Sequence, residues 1–185
     1  MYTFLDFLKY VFLGLVQGIT EPLPISSSGH MVIFEQIIGI NIADLNFKII
    51  VNFGSLLAIC FFYRKTIQDL AVGTWKFVFQ KSKEHKSQFI YVMLIVLATI
   101  PTGIIGLLIK DIVDEHLSSI LIVGINLLIT GTLLMIIHFA SKRTTRTQVT
   151  AWDALWMGLF QAIALLPGIS RSGSTSSIGV IRKLN

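Results

Sequence analysis

Charged residues and cysteine are scarce in this sequence. Charged side chains make up 14% of the 185 residues, against about a quarter in soluble domains, which excludes an ordinary cytosolic enzyme. The single cysteine, Cys60, lies inside an apolar run and excludes a disulfide-rich secreted domain. Motifs for P-loop nucleotide binding, the α/β-hydrolase nucleophile and a dithiol redox pair are absent. The sequence instead has 54% hydrophobic residues and a mean hydropathy of +0.76, which are typical of a membrane protein.

Three long apolar segments predict membrane spans. The second and third contain uncharged stretches that exceed the ~20 residues needed to cross about 30 Å of hydrocarbon. The first is shorter and becomes a span if the flanking basic residues anchor its ends. Pro101 predicts a kink or a break in the second span. The predicted spans cover about residues 46–63, 88–109 and 117–140.

The loops between these spans alternate in charge. The net charge is +5, and basic residues collect in segments 64–87 and 141–150, whereas the turn 110–116 is acidic. Because basic loops stay in the cytoplasm, we expect the two basic loops inside and the acidic turn outside. Within the first loop, Ile67–Phe79 is either a helix along the inner interface or a solvated loop. This charge pattern indicates membrane orientation and no nucleic-acid partner.

Two further apolar stretches, Tyr10–Thr20 and Ala154–Ile169, are too short to span a bilayer. Each runs into a Gly/Ser-rich segment, and polar backbone at membrane depth requires surrounding protein or a water cavity. We therefore predict two re-entrant helix-loop-helix hairpins, at residues 7–40 and 151–185.

The two hairpins form an internal repeat. Residues 14–29 align without a gap on residues 158–173 and are identical at eight of the sixteen positions, including two Gln and two Ser-x-Ser-Gly motifs. Three predicted spans separate the copies, and an odd number places them in opposite orientation across the membrane. The predicted fold is therefore an all-α, polytopic membrane protein with inverted repeats, in which both polar loops build one site at the midplane.

Loops 21–30 and 167–175 contain groups that suit a phosphorylated lipid headgroup. Arg171 can hold a phosphate through two parallel hydrogen bonds, which a lysine cannot do. Glu21 can hold a divalent cation or act as a base, and His30 can carry a proton. Hydroxyls and glycine amides of both loops form a candidate anion-binding nest, made of Ser26, Ser28, Gly29, Ser170, Ser172, Gly173 and Thr175.

Two nucleophiles are compatible with these residues. Ser27 is the repeat counterpart of Arg171, so the two face each other across the pseudo-symmetric site, and Glu21 or His30 would take the hydroxyl proton. The alternative is a water activated by the cation or by Glu21, with His30 protonating the leaving phosphate. The sequence favours Ser27 only slightly.

Each of these residues also has a purely structural interpretation. Ser26 can be a helix cap, Glu21 can cap a re-entrant helix, and Arg171 can anchor the chain at the interface. Three functional classes then remain: a membrane phosphatase, a transporter or flippase of an anionic lipid, and an inactive fragment of either. Transport needs the nest and Arg171 but not Glu21, Ser27 and His30 together, which favours the enzyme.

At these residues the chain resembles the undecaprenyl-diphosphate phosphatase family, which is associated with bacitracin resistance in bacteria. Residues 17–21 match the family's (E/Q)-x-x-x-E motif, and residues 24–30 match its Pro-x-Ser-Ser-Ser-Gly-His stretch. Residues 167–175 match its P-G-x-S-R-S-x-x-T motif completely. Pro22 departs from the family, which usually has Phe at this position.

The resemblance implies hydrolysis of undecaprenyl diphosphate to undecaprenyl phosphate and phosphate in the bacterial plasma membrane. This reaction recycles the carrier lipid of cell-wall synthesis. The resemblance also implies a divalent cation, Mg²⁺ or Ca²⁺, at Glu21, adds Gln17 to the substrate-binding residues, and is compatible with a homo-oligomer. Because members of the family continue with further apolar segments, we expect the chain to be an N-terminal fragment of such a protein, with the second hairpin truncated.

Overall fold

The computed structural model describes residues 3–39, 45–141 and 145–184. These residues form helices and no β-sheet, so the predicted all-α class is confirmed. A short 3₁₀ helix at Lys83–His85 separates the fourth and fifth helices. The α-helices are α1 (Phe4–Thr20), α2 (Ser27–Ile37), α3 (Leu45–Phe62), α4 (Arg64–Gln80), α5 (Lys86–His116), α6 (Ile120–Ala140), α7 (Ala151–Ile163) and α8 (Arg171–Ile181).

Among the described residues, α5 and α6 are long and apolar enough to cross a membrane by themselves. Helices α3 and α4 meet the same criterion only as a pair, and they are bent by 72° where they join at Tyr63. The structure therefore offers two spans, or three if the bent pair is one span. Large apolar side chains on these helices, such as Leu107 and Leu128, are exposed, as a surface facing lipid requires.

Segment 64–87 follows the helical alternative given for Ile67–Phe79, whereas the acidic turn 110–116, expected to be a loop, is helical. Helix α4 occupies most of segment 64–87, where Gly73 packs so closely on Gln88 of α5 that a Cβ atom would lie 2.9 Å away. The acidic residues of 110–116 form the last turns of α5, because no helix breaker separates them from the apolar span. The helix is also continuous through Pro101, so the break that this residue allowed does not occur.

Helices α1 and α7 are built alike. Each begins with a capping box, in which a threonine hydroxyl accepts from the backbone N–H of the aspartate three residues later, and the aspartate carboxylate accepts from the backbone N–H of the threonine. The pairs are Thr3 with Asp6 in α1 and Thr150 with Asp153 in α7. At about 1.5 Å per residue, α1 is about 26 Å long and α7 about 20 Å, both shorter than the hydrocarbon core. Neither helix spans a bilayer by length.

Each of these half-helices packs parallel to one longer helix. Helix α1 contacts α3 first through the Tyr10 and Phe47 rings and then through Gln17, which donates to Asn52. Helix α7 contacts α5 first at Gly158, where a Cβ would lie 2.1 Å from the Ala98 carbonyl oxygen. The second contact lies just after the end of α7, where Leu165 is beside Gly106 of α5. In both pairs, contacts further along one helix are also further along the other, so the two helices run in the same direction.

A buried carboxylate fixes the start of α7 to the end of α8. Asp153 is fully buried and accepts hydrogen bonds from Arg146 at 2.9 Å and from Arg182. Burial raises the pKa of Asp153, but the bonds from Arg182, Thr150 and Arg146 outweigh it, so the pKa lies below its usual value. The ion pairs hold the second hairpin closed at the end away from its polar loop.

Candidate active site

The polar loops of the two repeat copies touch each other through glycines. A Cβ on Gly29 would lie 2.8 Å from the Cα of Gly168, and one on Gly173 would lie 3.0 Å from the Pro24 carbonyl oxygen. Gly29 and Gly173 are repeat counterparts, as are Pro24 and Gly168. The two contacts are therefore the same contact made in both directions, as a two-fold relation between the copies requires.

The loops also fold alike within each copy. Ser26 and Ser170 are N-caps, and their hydroxyls accept from the N–H of Gly29 at 3.4 Å and of Gly173 at 3.0 Å. The same hydroxyls lie 3.3 Å from those of Ser28 and Ser172. Helices α2 and α8 have the same length and the same offset as the sequence repeat. The structural interpretation of Ser26 as a helix cap is thus correct.

A cavity of about 290 Å³ lies between the starts of α2 and α8. Because both helices begin at this cavity, their unpaired N–H groups and the positive ends of two helix dipoles converge on it, which favours an anion. The exposed Arg171 guanidinium lies on its wall. Its lining includes Glu21, Ser26, Ser27, Ser28, Ser170, Arg171 and Ser172.

Glu21 is the centre of the polar contacts at this cavity. Its Oε2 accepts a short hydrogen bond from the Ser27 hydroxyl and a second one from Gln17 Nε2 at 2.8 Å. Its Oε1 lies 3.7 Å from Nη2 of Arg171. A hydroxyl, a carboxylate that can take its proton and a guanidinium are therefore adjacent, which is the arrangement of an activated nucleophile beside an anion-binding group.

The structure places four of the predicted residues away from this centre, among them Gly29 and Gly173, whose N–H groups donate to the capping serines. The His30 ring bonds through Nδ1 to the Ser26 carbonyl oxygen at 2.8 Å, and His30 does not line the cavity. The Thr175 hydroxyl donates to the carbonyl oxygens of Arg171 and Ser172 within α8, at 3.1 Å each. Of the two candidate bases for Ser27, Glu21 is therefore the one in contact with it.

A second polar cavity, of about 400 Å³, meets the first at Ser27, Ser28 and Arg171. It extends past Gln17 to an ion pair between Glu35 and Lys48, whose charged atoms are 3.3 Å apart. Arg171 and Ser27 thus lie on the wall shared by two polar cavities.

Sequence reasoning missed four polar residues that build this site. Asn126 donates to the Pro167 carbonyl at 2.8 Å, and Thr130 donates to the Gly168 carbonyl at 2.9 Å, so α6 holds the second loop. Asn52 accepts from Gln17, and Gln161, the counterpart of Gln17, lines the first cavity. The sequence pattern that could have identified these residues is a polar residue inside an apolar segment, because such a residue needs a buried partner.

One carboxylate, that of Glu21, is among the groups that line the cavity. Within the residues described, no group of three or more His, Cys, Asp or Glu side chains could hold a cation. Mg²⁺ is commonly bound by one or two carboxylates together with substrate phosphates. The donor set at Glu21 therefore fits a cation shared with a phosphorylated substrate and does not fit a cage made by the protein alone.

Fold and site together define a helical protein of membrane type with a polar cavity at which two helices begin. A family model described as bacitracin resistance protein BacA matches residues 10–185, and the chain belongs to this family.

Curated relatives carry the name undecaprenyl-diphosphatase. The chain is 48% identical over 174 residues to the one from Oceanobacillus iheyensis, covering 93% of this chain and 63% of the relative. It is 44% identical over 175 residues to undecaprenyl-diphosphatase 2 of Bacillus thuringiensis, covering 95% and 65%. It is 40% identical to undecaprenyl-diphosphatase 1 of Bacillus licheniformis, covering 93% and 64%. The chain therefore spans slightly less than two thirds of the length of these relatives.

Proposed function

We propose that this protein, in a bacterial plasma membrane, removes the terminal phosphate of undecaprenyl diphosphate, yielding undecaprenyl phosphate and phosphate. The observation that carries the proposal is the contact of Ser27 with Glu21 beside Arg171, at a cavity on which two helix N-termini converge. The names of the relatives support the same reaction. The product is the carrier lipid of cell-wall synthesis, and its recycling agrees with the bacitracin resistance in the family description.

In the proposed reaction, the Ser27 hydroxyl oxygen attacks the terminal phosphorus while Glu21 accepts the hydroxyl proton. The bond from that phosphorus to the bridging oxygen breaks, and undecaprenyl phosphate leaves with the bond's electron pair. Arg171 and the N–H groups at the starts of α2 and α8 stabilise the charge on the transferring phosphoryl group. Glu21, now protonated, returns its proton to the leaving oxygen, and a water molecule then hydrolyses the phosphoserine.

We also infer that the two copies are inverted re-entrant hairpins. α1 runs parallel to α3 and α7 runs parallel to α5. If α3 and α5 are consecutive crossings, they run in opposite directions, and α1 and α7 then enter from opposite faces. This arrangement brings both loops to mid-depth and makes the protein a multi-pass membrane protein.

A divalent cation, Mg²⁺ or Ca²⁺, is part of the proposal. Glu21 would hold it together with phosphate oxygens of the substrate, and it would supply charge neutralisation as the phosphoryl group transfers. We expect a chelator to abolish phosphate release and either cation to restore it. Full activity after exhaustive chelation would contradict a cation at Glu21.

Ser27→Ala tests the nucleophile. We expect phosphate release from undecaprenyl diphosphate to fall to background in this variant, while Ser176→Ala, an exposed serine on α8, stays at the unmodified rate. Substrate labelled in its terminal phosphate should also leave a transient label on Ser27. Retention of more than about a tenth of the rate, a loss below ~1.4 kcal/mol, would exclude Ser27 and leave the activated water.

A further inference from the structure

The largest cavity beside the candidate site is apolar and lies between α1 and α3. Its volume is about 710 Å³, within the range of about 300–1,000 Å³ that is usual for small-molecule sites. From Val51 to Phe62 its α3 wall extends about 17 Å at the rise of an α-helix. The walls come from one face of each helix and consist of Gly14, Gly18, Glu21 and Pro22, with Val51, Gly54, Ser55, Ala58, Ile59, Phe62 and Tyr63.

This apolar cavity adjoins the polar one. Glu21 and Ile59 line both of them, so the carboxylate that contacts Ser27 stands where the two cavities meet. A ligand that occupies both must be charged at one end and apolar along its length. The order of the cavities fixes the polarity of that ligand, with the anionic end at Ser27 and Arg171.

Glycines keep the apolar cavity open. At Gly14, Gly18 and Gly54 a Cβ atom would meet no heavy atom within 4 Å, so the space beside each backbone is empty of protein in the described residues. The same result means that a side chain added at any of these positions would start in open space on the cavity wall.

We propose that the cavity between α1 and α3 binds the segment of the polyprenyl chain nearest to the diphosphate. This proposal rests on the proposed function, because the headgroup at Ser27 and Arg171 is what places the first isoprene units there. Burial of each methylene is favourable, and the cavity accordingly raises the affinity for prenyl chains. It also sets the depth at which the phosphorus meets Ser27.

Gly54→Leu, which fills the cavity, tests the role of the chain in catalysis. We expect kcat/KM for undecaprenyl diphosphate to fall roughly tenfold or more, equivalent to about 1.4 kcal/mol, while kcat/KM for methyl diphosphate, which has no isoprene unit, stays within about twofold. The matched control is Gly103→Leu on α5, where a Cβ likewise meets nothing within 4 Å and which lines neither the apolar cavity nor the two polar ones. Equal effects of Gly54→Leu on both substrates would refute the proposal.

A second experiment locates the chain directly and does not depend on turnover. The probe is undecaprenyl phosphate with a diazirine on its first isoprene unit, cross-linked to the protein in vesicles and mapped by mass spectrometry. We expect adducts on residues 14–22 or 51–63, the two walls of the cavity, that unlabelled undecaprenyl phosphate displaces. Labelling elsewhere would overturn the proposal, and so would equal labelling by a diazirine phosphatidylglycerol that undecaprenyl phosphate does not displace.

The outcomes separate this inference from the proposed function. Displaceable adducts on either wall of the cavity without phosphate release from any diphosphate would refute the phosphatase and retain the prenyl site. Phosphate release that Gly54→Leu leaves unchanged would refute the prenyl site and retain the phosphatase.

Discussion

Thr130→Val tests whether α6 holds the second polar loop in place. The Thr130 side chain is buried and makes two hydrogen bonds to that loop. Its hydroxyl donates to the Gly168 carbonyl oxygen at 2.9 Å and accepts from the Ser170 N–H at 3.2 Å. Valine has nearly the same shape, so the substitution removes these bonds and leaves no cavity.

The expected magnitude follows from the two backbone groups that lose their partner. Gly168 and Ser170 are both buried, and a buried backbone group without a partner costs about 1–3 kcal/mol. The apolar methyl that replaces the hydroxyl offsets part of this cost. We therefore expect the free energy of unfolding to fall by about 2–4 kcal/mol.

Thr132→Val on the same helix is the matched control. The Thr132 side chain is exposed and bonds only to the Leu128 carbonyl oxygen of its own helix, at 2.8 Å. We expect its unfolding free energy to change by less than about 0.5 kcal/mol.

The measurement is equilibrium unfolding in detergent, with phosphate release as a second readout, because Ser170 precedes Arg171 and a displaced loop misplaces the guanidinium. Stabilities of the two variants that agree within about 0.5 kcal/mol would refute the role given to α6.

Three further predictions concern the site and the topology. Arg171→Lys should lower kcat/KM for phosphate release by an amount equivalent to about 2–4 kcal/mol of transition-state stabilisation, because lysine cannot form two parallel hydrogen bonds to a phosphate. The control Arg64→Lys should leave kcat/KM unchanged. Equal activities of the two variants would mean that Arg171 only anchors the chain at the interface. Gly168→Ala should lower the unfolding free energy by at least about 2 kcal/mol, because φ is +94° and a Cβ would lie 2.6 Å from the Val123 carbonyl oxygen; an unchanged thermal midpoint would contradict this. A cysteine at position 111, with Cys60 replaced by serine, should react with an impermeant thiol reagent in intact cells; reaction only after permeabilisation would reverse the proposed orientation.

Sequence patterns predicted the composition of the site better than its contacts. The repeated Ser-x-Ser-Gly segments identified both loops. A helix start needs a capping hydroxyl, and that requirement is visible in the few residues around the cap. Which base contacts Ser27 was left open between Glu21 and His30. The fold decides it, because the His30 ring turns back to the Ser26 carbonyl whereas Glu21 lies beside the Ser27 hydroxyl.

Helix boundaries show the same division. The apolar runs predicted α5 and α6, but the acidic residues of 110–116 continue α5, since charge by itself does not end a helix. Asn52, Asn126 and Thr130 each received no role from the sequence, because a polar residue in an apolar segment does not reveal its partner. Those partners lie tens of residues away along the chain.

The sequence by itself determined the class of this protein, the two short apolar segments that run into polar loops, and the chemical groups at those loops. These features depend on hydrophobicity and residue type, which act over a few neighbouring residues. Only the tertiary structure decided that Glu21 and not His30 contacts Ser27, and that an apolar cavity opens beside Glu21. Those outcomes depend on how closely helices approach, and that distance is set by glycines meeting backbone from distant parts of the chain, as at Gly29 and Gly168.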